Sequence, residues 1–260
     1  MIGFSRILLP LCLSFTVNGL PHDQIKPRAD LPAAFFLAGD STTATGGGWG
    51  DGFLASTLVN GAWGTNFAKG GATTVSFRNG GYWASTIEAV KNVSANGQYT
   101  PWVTIQFGHN DQKAEAGISI EDFSANLGAF VDEVREAGGN PILVSSLSRR
   151  GYEGNPERIV ENLANEAAAA LAVANEKGAL SIDLNRASTD YLNAIGSANA
   201  WTYNLASNDR THLNAAGEVV FGNMVAWLLG NSAEGETLKQ STVAGEAYVE
   251  AFENGVFIAE

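Results

Sequence analysis

From residue 33 onward the chain alternates between short apolar runs and longer stretches in which apolar residues recur every three or four positions. The runs at 33–38, 102–107, 141–145 and 179–183 predict strands buried on both faces, with 62–67 a weaker fifth. Between them the period changes to that of a helix. Residues 119–137 place Phe123, Leu127, Phe130, Val131 and Val134 on one face, with Ser119 and Asp122 as a capping pair and Gly138 as a stop. A second helix is predicted over 156–177, with Asn155 as its cap, Pro156 in its first turn and Gly178 at its end. A third, over 215–229, carries the stripe Ala216, Val219, Val220, Met224, Trp227 and Leu228.

Strands that alternate with helices, and that are apolar along their whole length, predict a parallel sheet covered by helices on both faces. No repeat or linker divides residues 33–230, which read as one domain. Residues 231–260 are open to two readings, a short helix over 244–252 or an acidic tail.

The first 19 residues change the picture of where the protein works. Arg6 precedes an apolar run, and Val17-Asn18-Gly19 ends it with a small residue, the pattern of a signal peptide. That run is too short for a stable membrane anchor, and the apolar residues of the C-terminal segment are too scattered for a lipid-anchor signal. Residues 20–32 read as a lead-in or short propeptide. The one cysteine, Cys12, lies inside the leader, so the mature chain would depend on packing rather than disulfides. A secreted, extracellular monomer is expected, with Asn92-Val93-Ser94 as a glycosylation acceptor. The net charge of −12 argues against nucleic acid as a partner, because phosphate binding needs a basic surface.

Open parallel sheets hold their chemistry at the carboxyl ends of the strands. Gly39-Asp40-Ser41 follows the first strand, Gly108-His109-Asn110-Asp111 follows the 102–107 strand, and Asp209-Arg210-Thr211-His212 precedes the last helix. Ester hydrolysis at neutral pH needs a serine activated by a base, with a carboxylate to fix the base's tautomer. The chain has three histidines, His22, His109 and His212, and only His212 has a carboxylate three residues before it. Acyl transfer also needs donors aimed at the oxyanion. The Ser41 N–H, the Asn110 amide and the N–H of Gly71, where no side chain blocks approach, are candidates. Each also has a plain alternative: Ser41 as a helix cap, Asn110-Asp111 as a turn pair, Gly71 as a turn glycine, His212 as a solvated loop residue. No spacing of His, Cys or Asp suggests a metal site.

Taken in order, these blocks resemble the SGNH, or GDSL-type, hydrolase superfamily. Phe36-Leu-Ala-Gly-Asp-Ser-Thr-Thr43 matches its nucleophile block, and residues 66–73 its glycine block with Gly71 in the key position. Phe107-Gly-His-Asn-Asp111 matches its G-x-N-D block, and Asp209–His212 its D-x-x-H block. More narrowly, Gly48-Trp-Gly50 and Asp209-Arg-Thr-His-Leu-Asn-Ala-Ala-Gly217 are similar to rhamnogalacturonan acetylesterases, which remove acetyl groups from pectic polysaccharide. The absence of a G-x-S-x-G pentapeptide at Ser41 argues against the ordinary α/β-hydrolase layout.

The resemblance implies a three-layer α/β/α, flavodoxin-like sandwich with a five-stranded parallel sheet. It implies Ser41 as nucleophile, His212 as base, Asp209 as its partner, and Ser41, Gly71 and Asn110 as the oxyanion hole, with no cofactor or metal. Asp40 and Asp111 read as structural, and His109 as bordering an acetylated polysaccharide substrate. Against an anionic pectic backbone an acidic protein would need local positive charge. Arg78, Arg149, Arg150 and Arg210 are the candidates, and Trp83 and Trp201 are placed either to stack on sugar rings or to pack inside. Two other functions fit the same blocks: an esterase or lipase for longer acyl chains, and a carbohydrate-binding protein that has lost catalysis.

Overall fold

The structure is a computed structural model and describes residues 31–259. Its centre is a sheet of five parallel strands in the order β2-β1-β3-β4-β7. These are β1 (Ala33–Gly39), β2 (Trp63–Asn66), β3 (Thr100–Gln106), β4 (Asn140–Val144) and β7 (Leu180–Ile182). Each expected strand is present within a few residues of its expected bounds. β1 lies inside the sheet between β2 and β3, and all seven of its residues are buried. Its side chains alternate between two separate cores: Ala33, Phe35 and Leu37 enter one, Ala34, Phe36 and Ala38 the other. Burying a phenylalanine as completely as Phe35 and Phe36 contributes about 1.5–3 kcal/mol each.

Helices complete the sandwich. α2 (Thr74–Asn79), α3 (Tyr82–Asn96), α4 (Ile120–Glu136) and α5 (Ala164–Lys177) supply one outer layer, which includes Phe77, Trp83, Phe123, Phe130 and Val173. On the opposite face α1 (Trp49–Ser56), α6 (Leu184–Ala200) and α7 (Ala215–Gly230) contribute Trp49, Phe53, Leu192, Phe221 and Met224. The α4 cap is as expected: Ser119 Oγ accepts the Asp122 N–H at 3.0 Å. The α7 stripe is wider than expected. Phe221, Val225 and Leu229 are buried as well, whereas Ala216, Val219, Trp227 and Leu228 are only partly covered.

One predicted helix begins late. Residues 156–163 are not helical, and Pro156 lies instead between two short antiparallel strands, β5 (Tyr152–Glu153) and β6 (Arg158–Ile159). The backbone of Ile159 donates to Asn193 Oδ1 at 2.8 Å, and Val160 N–H to the Gly151 carbonyl at 2.9 Å. A proline after an asparagine starts a turn as readily as a helix, and here these tertiary hydrogen bonds select the turn.

The residues after α7 are packed onto the domain. They include α8 (Gly235–Leu238) and α9 (Glu246–Asn254). The Ala33 N–H at the start of β1 donates to Ser241 Oγ at 2.9 Å, and Val243 N–H donates to Thr57 O at 2.9 Å. Farther on, the hydroxyls of Tyr191 and Tyr203 donate to the carbonyls of Val256 and Ile258 at 3.2 and 2.8 Å. The expected signal peptide and most of the lead-in lie outside the described residues.

Candidate active site

Ser41 sits on the turn that leaves the carboxyl end of β1. Asp40 shapes this turn: its carbonyl accepts the N–H groups of Thr43 and Ala44, and its carboxylate accepts Thr42 N–H at 2.9 Å and Thr42 Oγ–H at 2.8 Å. Beneath it a buried chain of bonds runs from Trp49 Nε1 to Gln106 Oε1 (2.7 Å) and from Gln106 Nε2 to Thr42 Oγ1 (2.6 Å). Burial alone would raise the Asp40 pKa, but the facing His109 ring and the Thr42 donors outweigh it, and the carboxyl is held below its ordinary value. Asp40 is therefore structural.

His212 approaches from the loop before α7. Its Nε2 lies 2.9 Å from Ser41 Oγ across 171 residues of sequence, and its Nδ1 lies 2.8 Å from Asp209 Oδ2. The second Asp209 oxygen accepts the backbone N–H groups of Thr211 and His212 at 2.8 and 2.9 Å, so one short loop holds both members of the pair. Partial burial pushes the Asp209 carboxyl upward, yet these backbone bonds and the imidazole together leave it below its usual value. It is an anion at neutral pH, as the partner of a base must be. The two loops also touch directly: Leu213 N–H donates to Gly47 O at 2.9 Å.

The loop that carries Gly71 is tied to the same turn. Lys69 N–H donates to Gly39 O at 2.9 Å, and Asn66 ties this loop to the nucleophile turn through a 2.9 Å bond from Nδ2 to Thr43 O. Gly71 is in the left-handed region at φ 77°, which favours glycine. Among the described residues neither the Ser41 N–H nor the Gly71 N–H has an acceptor. Asn110 is buried and oriented from both ends, its Nδ2 donating to Ala72 O at 3.0 Å and its Oδ1 accepting from Lys113 Nζ at 2.8 Å. An amide nitrogen has two N–H bonds, so one remains for a ligand. Next to it Asp111 accepts from Thr74 N–H and Oγ–H at 2.8 and 2.7 Å, and burial raises its pKa despite those bonds.

Several substrate-binding expectations need correction. His109 does not border the surface. It is 2% exposed, with Nδ1 3.5 Å from Asp40 Oδ2, and so belongs to the support beneath Ser41. Arg150 is wholly buried and holds neighbouring loops, with Nε on Asn204 Oδ1 at 2.6 Å and Nη2 on the His212 carbonyl at 2.5 Å. Burial pushes its pKa down to about 10, still far above neutrality. Arg78 makes a two-point pair with Glu133 of α4 at 2.8 and 3.1 Å, which also receives Trp83 Nε1 at 2.6 Å. Trp83 is therefore a core residue. Arg149 and Arg210 keep partial access to solvent. Arg149 donates to the His109 carbonyl at 3.3 Å, and Arg210 lies 4.3 Å over the ring of the exposed Trp201. Asn66 opens the glycine block, whereas Gln106 and Asn204 lie outside the motif blocks and carry no local signal of their roles.

Among the described residues there is no group of three or more His, Cys, Asp or Glu placed to hold a metal, and no helix long and apolar enough to cross a membrane.

A parallel sheet with a Ser–His–Asp relay at its carboxyl edge fits one class of protein, the SGNH hydrolases. Residues 37–220 match the model of the GDSL-like Lipase/Acylhydrolase family, and the chain belongs to that family. It is similar to the rhamnogalacturonan acetylesterase RhgT of Bacillus subtilis, at 37% identity over 160 residues. That match takes in 59% of this chain but 65% of the relative, so just under two thirds of the relative's length is spanned. A probable rhamnogalacturonan acetylesterase of the same organism, YesY, is 26% identical over 204 residues, covering 74% of this chain and 89% of the relative. Among solved structures the fold is shared with B. subtilis YxiM (TM-score 0.66, 23% identity), covering 77% of this chain and 56% of that one. It is also shared with the acetylxylan esterase Axe2 of Geobacillus stearothermophilus (TM-score 0.57, 20% identity), covering 78% and 96%.

Proposed function

We propose that the protein is a secreted carbohydrate acetylesterase that removes acetyl groups from rhamnogalacturonan-like pectic polysaccharide through an acyl-serine intermediate. The observation that carries this reading is the continuous relay from Asp209 through His212 to Ser41 Oγ, 2.8 and 2.9 Å long. In the proposed cycle, His212 Nε2 takes the Ser41 proton as Oγ bonds to the acetyl carbonyl carbon. The resulting oxyanion is held by the N–H groups of Ser41 and Gly71 and by the Asn110 amide. Collapse breaks the bond to the sugar oxygen, which leaves with the proton returned by His212. Water then attacks the acetyl-serine with the same proton transfers, releasing acetate and restoring Ser41. None of these steps needs a cofactor.

The choice of acetyl and of a pectic sugar is supported by the names of RhgT and YesY. A partly accessible Arg149 and Arg210 fit an anionic polysaccharide. Extracellular action is supported by the leader pattern, and glycosylation by the exposure of Asn92 on α3. The test is acetate release from a panel of acetylated polysaccharides, with Ser41→Ala as control. Release from rhamnogalacturonan that vanishes in Ser41→Ala supports the assignment. A preference for octanoyl over acetyl nitrophenyl esters would make the protein a lipase-type esterase instead. Glycan binding without any Ser41-dependent hydrolysis would make it a binding protein.

A further inference from the structure

Arg150 is a fully buried arginine that forms no ion pair among the described residues. Burying a guanidinium without a carboxylate in contact is costly, and the bonds of Nε and Nη2 return that cost only in part, since Nη1 is buried with no hydrogen-bond partner among the described residues. Its four hydrogen bonds all go to residues 201–212. Its side chain donates to Asn204 Oδ1 and to the His212 carbonyl, its N–H donates to Arg210 O at 2.7 Å, and its own carbonyl accepts Trp201 Nε1 at 2.9 Å. One residue thus fastens the segment that bears both Asp209 and His212 at four separate points.

We infer that Arg150 is a positioning residue for the catalytic relay, setting the place of His212 by gripping its backbone carbonyl. This inference rests on Ser41, His212 and Asp209 being the reacting groups, as proposed above. His212 meets Ser41 only at its ring, and Asp209 aligns that ring from within the same loop. Neither contact fixes the loop to the sheet; the Leu213 N–H bond to Gly47 O ties it only to the nucleophile turn, and the Leu205 N–H bond to His212 O stays within the 201–212 segment. Arg150 does so, because it leaves the carboxyl edge of β4 through residues 145–149, all but one of them buried. A loop free to shift by about 1 Å would misalign the proton transfer, a displacement that can cost about 100-fold in rate.

The test uses the full chain with nitrophenyl acetate, and counts competent sites by fluorophosphonate titration so that kcat refers to folded enzyme. Arg150→Ala is expected to lose about 100-fold in kcat per titrated site with KM changed less than about threefold. Arg150→Lys, which keeps a cation but cannot reach both acceptors, should lose about 10-fold. Methylguanidinium, filling the space left by Arg150→Ala, should restore part of kcat, and methylammonium should not. A residue that only stabilises the fold would lower the number of titratable sites and leave kcat per site at the wild-type value. That result, in either variant, overturns the inference while leaving the catalytic assignment intact. If Ser41→Ala hydrolyses nitrophenyl acetate as fast as wild type, both fall together.

Discussion

Gly52 of α1 and Gly222 of α7 meet backbone against backbone. A β-carbon on Gly222 would collide with the backbone of Gly52 and Phe53, and one on Gly52 with the carbonyl of Glu218. The helices that follow the Ser41 turn and the His212 loop are thereby locked against each other. Their crossing sets how far apart those two loops can be.

A methyl group at this crossing should therefore disturb both stability and the site. Gly222→Ala is expected to lower unfolding free energy by about 1–3 kcal/mol through overpacking, measured by urea titration. Its remaining folded fraction should also show a lower kcat on nitrophenyl acetate. An unchanged midpoint in urea would show that the helices part without cost.

In the proposed cycle Asn110 is one of the oxyanion donors, so Asn110→Ala should lower kcat by about 10²–10³ with little change in KM. Gly71→Ala has open space around its β-carbon but a φ of 77°. Its cost should be backbone strain of about 1–2 kcal/mol, read as a lower Tm. Steady-state kinetics and thermal melts on the two variants separate these effects.

Asp111 gives a pH dependence with a definite sign. Burial raises its folded pKa above the unfolded value, so its contribution is most favourable at low pH and is lost as pH rises through the folded pKa. Asp111→Asn retains an oxygen for the Thr74 donors and removes the buried charge. Its stability relative to wild type should therefore improve between pH 3 and pH 7 in paired urea titrations. A difference that stays flat across this range would contradict the assignment.

The arginines divide by what they already hold. Arg78 is committed to Glu133, so Arg78→Ala should leave KM for acidic and neutral acetylated oligosaccharides unchanged. Its effect on stability should be about 0.2–1 kcal/mol, as for exposed ion pairs. Arg149→Ala combined with Arg210→Ala should raise KM for the acidic substrate selectively. Equal KM values for both substrates would remove these residues from recognition.

Much of this was legible before any coordinates. The apolar runs located all five sheet strands because burial on both faces leaves an unbroken hydrophobic pattern. Ser41, Asn110, Asp209 and His212 stood out because they follow such runs or precede a helix. α5 starts later than its sequence pattern predicts because Pro156 suits a turn and a helix start equally. His109 and Arg150 are buried against expectation for one reason: a polar side chain in a loop carries no local mark of whether it faces water or the interior.

Which segments are buried, and which reactive side chains lie at their ends, follow from local periodicity and composition and so can be read along the chain. Long-range packing alone places β1 between β2 and β3, sets Arg150 on the His212 carbonyl, and brings Ser41 and His212 to 2.9 Å across 171 residues. Those relations depend on which distant surfaces pack together, such as the bare backbones of Gly52 and Gly222, and no short stretch of chain encodes its own partner.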